Sequence, residues 1–200
     1  MAFTTKVSIV IACWNEAAFI GGCLESILAN DYPRDLLEVL VADGRSEDGT
    51  RAIVASYSKR FPFIQLVDNP GRIASCAFNV GIQQASGDLI LIMGAHNSYA
   101  ADYISRCVRT SNASGADNVG GVIRVIPRKP GLLGNALAFA LGHPFGVGNA
   151  HFRFESGGRR STDTVFGGCY RREVFEKVGL FNEQLVFNQD IEFNLRLGRA

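Results

Sequence analysis

Trp14, Glu16, Asp43, Arg72 and His96 are the side chains in this sequence with the most chemical capacity at loop positions. The flat indole of Trp14 suits stacking on a planar ring, or packing on a loop rim. The Asp43 carboxylate can accept from a ring N–H or a sugar hydroxyl. Standing before Gly44, it also reads as a turn former. Arg72 offers a fixed fork of donors for a ring edge or a phosphate, with a solvated surface charge as the alternative. Glu16 is either a ligand contact or a favourable acidic charge at the start of a helix. A neutral imidazole at His96 can ligate a divalent metal and suits Mn2+ better than Mg2+. The alternative for His96 is an ordinary loop histidine. Asn79 and Gly81 read as residues that hold helix and loop geometry, and His143 and His151 have no partner in the sequence pattern.

The surrounding elements make these residues a set. Trp14 follows Val7-Ser8-Ile9-Val10-Ile11-Ala12, an apolar, β-branched run that reads as a buried strand. Asn15-Glu16 then opens a helix with Phe19, Ile20, Cys23, Leu24, Ile27 and Leu28 at helical spacing, broken at Asp31-Tyr32-Pro33. Leu37 to Ala42 is a second strand, followed by a polar loop from Asp43 to Thr50 and a helix from about Thr50 to Arg60. Ile64 to Val67 is a third strand closed by Asp68-Asn69-Pro70-Gly71, Ser75 to Ala85 is helical, and Leu89 to Met93 is a fourth strand. This alternation implies an α/β fold with a mainly parallel, doubly wound sheet and right-handed crossovers. Ligands in such sheets bind at the carboxyl ends of the strands. The loops at Trp14, Asp43, Arg72 and Gly94 to Asn97 therefore belong on one rim.

The pattern changes after about Asn118. Val119 to Ile126 reads as a strand, Pro127 to Pro130 as a basic turn, and Gly131 to Leu141 as a small apolar helix. Gly142 to Gly158 reads as a glycine-rich, aromatic ordered loop. A strand from Thr164 to Tyr170 leads into a helix from Arg172 to Val178, and a last helix starts near Asp190.

Composition narrows the function. The 200 residues are 47% hydrophobic, enough for one domain with a sizeable core. With 20 basic and 19 acidic residues the net charge is +1, which argues against nucleic acid as a partner. None of the five cysteines forms a C-x-x-C pair, so zinc is disfavoured and free thiols in a reducing compartment are expected. Met1 to Lys6 lacks an apolar signal region, and the apolar stretch Leu132 to Leu141 is about half of the ~20 residues that span a bilayer. The sequence contains no G-x-G-x-x-G after the first strand, no G-x-x-x-x-G-K-[ST] and no G-x-S-x-G.

What is present resembles the family 2 glycosyltransferases, over nearly the whole chain and in order. V-S-I-V-I-A-C-W-N-E is similar to that family's first strand and its aromatic-Asn-Glu turn, and V-A-D-G-R-S-E-D-G-T to its Asp-Gly-Ser loop. N-P-G-R and A-F-N-V-G-I resemble its third-strand arginine and the helix after it, and A-S-G-D-L-I-L-I-M leads into the position of its D-x-D element. G-G-C-Y-R-R-E-V-F-E-K-V-G-L-F-N-E resembles its acceptor-side stretch, and F-N-Q-D-I-E-F-N-L-R-L stands where the family carries a Glu-Asp catalytic pair. The nearest branch is the bacterial exopolysaccharide, succinoglycan-type group.

The resemblance implies a GT-A fold with a nucleotide-binding half (1–117) and an acceptor-side half (118–200). It implies inverting transfer of a sugar from a nucleotide-sugar, a UDP-hexose, to a polysaccharide or lipid-linked acceptor. Asp190 then falls at the general base, with Gln189 in place of the first acid. Trp14, Glu16, Asp43 and Arg72 fall at the nucleotide-sugar, with Trp14 against a uracil ring. His96 falls at a divalent cation, Mn2+ or Mg2+. The departure is Gly94, where the first Asp of the D-x-D element is expected. That glycine keeps a catalytically weak or inactive nucleotide-sugar-binding domain open as the alternative. A sugar-phosphate nucleotidyltransferase shares the layout but needs a glycine- and basic-rich loop that Cys13-Trp14-Asn15-Glu16 does not supply. By resemblance the chain is further expected to be a piece of a longer protein at the inner face of the cell membrane. Peripheral membrane contact and exposed apolar surface near Leu132 to Phe145 are expected with it.

Overall fold

Apolar runs rich in Val, Ile and Leu become the centre of a six-stranded sheet. In chain order the strands are β1 (Val7–Cys13), β2 (Leu37–Asp43), β3 (Ile64–Asp68), β4 (Leu89–Gly94), β5 (Asn118–Gly121) and β6 (Phe166–Arg171). The structure is a computed structural model and describes residues 3–127, 131–143, 146, 151–153, 158, 160–162 and 164–200. The spatial order is β3-β2-β1-β4-β6-β5. β1 pairs in parallel with β2 and β4, and β2 with β3, while β6 runs antiparallel to both β4 and β5. Cys13 is opposite Asp43, Asp43 opposite Asp68, and Ala12 opposite Gly94. The carboxyl ends of four strands thus finish on one line.

The period-2 alternation of β1 divides the core between two helix layers. Val7, Ile9, Ile11 and Cys13 pack with residues of α1 (Ile20–Leu28), α2 (Thr50–Arg60) and α4 (Tyr103–Ser114). Val10 packs on the other side with residues of α3 (Ala74–Gln84), α6 (Arg172–Val178) and α7 (Gln189–Leu197). α3 lies so close to β1 that a Cβ at Gly81 would stand 2.3 Å from Val10 Cγ1. Only glycine allows that approach.

The parallel half follows the sequence expectation, and the second half departs from it. The strand expected from Val119 to Ile126 ends at Gly121, where the register with β6 shifts. α4 was not foreseen, because half of its buried face is small and polar: Ser105, Cys107 and Ser111 beside Ile104 and Val108. The helix after Glu16 begins at Ile20, with Glu16 acting through its carbonyl as acceptor for the Phe19 and Ile20 amides. The apolar helix is present as α5 (Leu132–Leu141). The basic turn after Pro127, and much of the loop from Gly142 to Gly158, lie outside the described residues. All five cysteines are free.

Candidate functional site

Two loops at the rim are laced together by short polar side chains. Asp43, the last residue of β2, has a side chain with no exposed surface. Its Oδ1 accepts the Ser46 hydroxyl at 2.5 Å, and its Oδ2 accepts the Ser46 amide at 2.9 Å and Arg51 Nη1 at 2.8 Å. Arg51 also reaches Asp68 at 2.8 Å. Asp43 is therefore the keystone of its own turn, with both oxygens engaged by protein donors. Asp48 joins this loop to the one after β1: it accepts from the Thr50 hydroxyl and amide and from the Ala17 amide. Those hydrogen bonds, the Thr50 hydroxyl first, hold its carboxyl below the usual range. Ser46 Oγ accepts the Asn15 amide at 2.8 Å, Thr50 Oγ1 accepts the Glu16 amide at 2.9 Å, and Asn15 Oδ1 accepts the Glu47 amide at 3.0 Å.

This lacing presents Trp14 and Arg72 on either side of Gly44. A Cβ on Gly44 would lie 3.3 Å from Trp14 Cβ and 3.2 Å from the Arg72 Cα, so a larger residue there would press on both. Trp14 is 53% exposed despite its size. The Arg72 side chain is exposed and makes no ion pair among the described residues. Among the described residues four non-glycine residues have positive φ: Asn15 (53°), Arg45 (61°), Arg72 (63°) and Asn188 (58°). The first three border this rim and the fourth precedes Asp190. Left-handed backbone at such residues costs about 1 kcal/mol or more each and collects where surrounding contacts enforce a working geometry.

At the end of β4 the side chain of Gly94 is replaced in space by a neighbour. An added Cβ would stand 2.4 Å from Asn97 Nδ2, which donates to the Gly94 carbonyl at 3.3 Å. The next rim side chain, His96, reaches across to the β1 loop, where its Nδ1 lies 3.1 Å from Glu16 Oε1. β1 is flanked by β2 on one side and β4 on the other, so this contact bridges the point where the strand order reverses. A doubly wound sheet places its ligand crevice there. No cluster of three or more His, Cys, Asp or Glu side chains able to hold a metal occurs among the described residues. Glu16 and His96 supply two donors, which fits a cation that takes its remaining ligands from phosphate oxygens and water. Cys13 ends β1, directly before Trp14. Burial, with Asp43 and Glu16 adding their charge, pushes it up to about 12, which removes it as a nucleophile.

Asp190 stands apart: among the described residues no hydrogen bond or ion pair joins it to the other site residues. It is exposed in the first turn of α7, where the helix dipole favours an anion. Phe193, fully buried, fixes this helix among Tyr170, Phe175 and Phe181, with ring centroids 4.6–5.4 Å away. Asp190 is close enough to Tyr170 that its charge, after burial, raises the phenol. The approach to α7 is clamped by α3. Asn79 donates to the Phe181 carbonyl and to Glu183 and accepts the Phe181 amide, each at 2.9 Å, and Ser75 donates to the Leu185 carbonyl at 3.1 Å. Glu192 is committed elsewhere, in a two-pronged pair with Arg196 at 2.5 and 2.9 Å.

The structure therefore forms two clusters, Trp14–Asp43–Arg72 and Glu16–His96, plus the separate Asp190. Sequence reading missed Arg51, Ser46 and Asn97. Arg51 carries no local signal, because its partners Asp43 and Asp68 belong to two different strands.

Comparison with known proteins gives one answer. The family profile described as "Glycosyl transferase family 2" matches residues 8–179. The succinoglycan biosynthesis protein ExoA of Rhizobium meliloti is 33% identical over 98% of this chain and 59% of that protein. A Methanococcus voltae dolichyl N-acetyl-alpha-D-glucosaminyl phosphate 3-beta-D-2,3-diacetamido-2,3-dideoxy-beta-D-glucuronosyltransferase is 30% identical over 96% of the chain and 61% of that protein. The chain thus spans about three fifths of the length of these relatives. Among solved structures, the mannosyltransferase PcManGT from Pyrobaculum calidifontis, in complex with GDP-Man and Mn2+, aligns with a TM-score of 0.74 at 25% identity. That alignment covers 98% of this chain and 52% of the mannosyltransferase. S. aureus TarS 1-349 in complex with UDP aligns at 0.72 with 18% identity, over 96% of this chain and 54% of TarS, a likeness of fold. The GT-A sheet, the order of the rim loops and these matches together show that the chain belongs to glycosyl transferase family 2.

Proposed function

We propose that the chain transfers a hexose from a UDP-sugar to a polysaccharide or lipid-linked acceptor with inversion at the anomeric carbon. The observation that carries this reading is the rim itself, where exposed Trp14 and the backbone of exposed Arg72 meet at Gly44 and a Glu–His pair bridges the crevice beside it. In this reading the uracil ring stacks on Trp14, Arg72 supplies positive charge to the base or phosphates, and Asp43 holds the turn under the nucleoside. Glu16 and His96 lie at the diphosphate, where a bound divalent cation offsets the charge of the leaving group. Asp190 takes the proton from the acceptor hydroxyl. The acceptor oxygen then forms its bond to the anomeric carbon as the bond to the diphosphate oxygen breaks on the opposite face, and UDP leaves with the electron pair. TarS solved with UDP and with UDP-GlcNAc, and PcManGT solved with GDP-Man and Mn2+, support a nucleotide-sugar donor and a divalent cation.

The acceptor side is apolar. Leu132 is 91% exposed and Phe139 70% exposed on α5, with Leu133 and Leu137 also exposed. No helix among the described residues is long and apolar enough to cross a membrane. We read α5 as a peripheral contact with the inner face of the cell membrane, where a lipid-linked acceptor would be presented.

The test is a donor screen read by released nucleoside diphosphate, with and without Mn2+, on wild type and Asp190→Asn. UDP-hexose turnover that Asp190→Asn abolishes, with UDP affinity within a few-fold of wild type, is the expected result. Transfer retained by Asp190→Asn removes the base assignment. Nucleotide binding without turnover selects a binding domain instead.

A further inference from the structure

We infer that Glu16 replaces the carboxylate missing at Gly94, so that Glu16 from the β1 loop and His96 from the β4 loop hold one divalent cation between them. This rests on the reading of His96 as a cation ligand and adds the partner that makes the site usable. The β4 loop cannot supply a second anionic ligand, since Gly94 has no side chain and the space a Cβ would occupy is taken by the amide nitrogen of Asn97, 2.4 Å away. An amide N–H2 repels a cation. The nearest carboxylate comes instead from the neighbouring strand. β1 and β4 are paired with Ala12 opposite Gly94, which brings Glu16 and His96 to the same point above the sheet.

The spacing suits shared coordination. Two ligands at right angles, each about 2.1 Å from one ion, lie about 3.0 Å apart; Nδ1 and Oε1 are separated by 3.1 Å. The imidazole is 63% exposed and has room to turn its Nδ1 lone pair onto an ion shared with Glu16 Oε1. With Nδ1 on the metal, the ring proton belongs on Nε2. Glu16 is the fixed half: its amide is held by Thr50, its carbonyl accepts from Phe19 and Ile20, and its side chain is 22% exposed. One carboxylate and one neutral imidazole leave a divalent ion with a surplus positive charge. The ion alone is therefore held weakly, and it is held strongly once a diphosphate joins.

Trp14, the single tryptophan of the chain and two residues from Glu16, is the built-in reporter. Paramagnetic Mn2+ bound at the pair quenches its fluorescence, and the EPR signal of free Mn2+ counts the bound ion independently. Wild type should bind Mn2+ much more tightly with UDP than without. Glu16→Gln, an isosteric change, and His96→Ala should each weaken Mn2+ binding in the presence of UDP by about tenfold or more, while the thermal midpoint stays at the wild-type value and metal-free UDP affinity falls by far less than Mn2+ affinity. Mn2+ affinity unchanged in Glu16→Gln but lost in His96→Ala overturns the pairing and leaves His96 as ligand. Affinity unchanged in both overturns the cation site at this rim altogether.

Discussion

Replacing Asn79 by Ala should separate catalysis from nucleotide binding. Asn79 is buried, and its amide satisfies both backbone groups of Phe181, itself buried, as well as the carboxylate of the exposed Glu183. Truncation orphans a buried N–H and a buried C=O. Each orphan costs about 1–3 kcal/mol, while the lost contact to exposed Glu183 adds little, so the total is about 2–6 kcal/mol. With a urea m-value of about 2–3 kcal/mol/M for a chain of this size, the unfolding midpoint should fall by about 1–3 M at unchanged m. Asn79→Asp is the sharper probe. It keeps an acceptor for the Phe181 amide, loses both donations, and sets a carboxylate against Glu183, so it should be at least as damaging at pH 7. Both variants loosen the segment that delivers Asp190, whereas the Trp14–Gly44–Arg72 rim hangs on other strands. UDP affinity, read from Trp14 fluorescence under native conditions, should stay within about threefold while kcat falls by an order of magnitude or more. A stability loss below about 0.5 kcal/mol, or UDP affinity lost in step with kcat, would refute the idea that α3 clamps the base.

Gly94→Asp should be accommodated by Asn97 swinging aside, at a folding cost of about 1 kcal/mol for its lost hydrogen bond. It should strengthen Mn2+-dependent UDP binding in calorimetry, and no gain would mean that the β4 loop holds no metal. Thiol titration of the native protein at pH 8 should be slow. Burial raises Cys13 and Cys23 to about 12, leaving about one thiolate in ten thousand, and all five thiols should react in denaturant. Because these thiols ionise first in the unfolded chain, stability should be intact below pH 9 and decline as pH rises from there toward 12, followed by urea midpoint.

The parallel half of the fold was legible because its signals are local and redundant. β1 to β4 are apolar runs interrupted inside only by Ser8, Glu38 and Gln65, and Thr50 to Arg60 and Arg172 to Val178 are bounded as expected. The rim followed from that order alone. α4 went unread although Ile104, Cys107, Val108 and Ser111 recur at helical spacing, because only Ile104 and Val108 on that face are large and apolar. β5 was overestimated because Val122, Ile123 and Val125 have strand character, yet the ladder partner needed to keep them in a strand runs out at Phe166. At the site, residue identities were readable but their company was not. That Asp43 is sealed by Arg51, that Asn97 fills the space beside Gly94, and that Glu16 meets His96 are facts of strand adjacency. Sequence spacing does not encode them.

The placement of β6 also dictates an order of events during synthesis. β6 must insert between β4 and β5, although residues 122 to 165 separate it from β5. Closing an excursion of that length costs about 3 kcal/mol of chain entropy before any ladder forms. The first four strands close their own excursions earlier in the chain, including residues 14–88 between β1 and β4, and can do so on the ribosome. β4 then waits with one edge bare, its Leu89, Ile90 and Leu91 lacking the partners that β6 later supplies. At about 5–20 residues per second, the stretch from Gly94 to Arg171 takes roughly 4–15 seconds to emerge. For that interval a nascent chain exposes an apolar template for strand addition by its neighbours on the same polysome. Substitutions within β6 that delay its docking should therefore reduce the yield of recoverable protein while the molecules that do finish retain full specific activity.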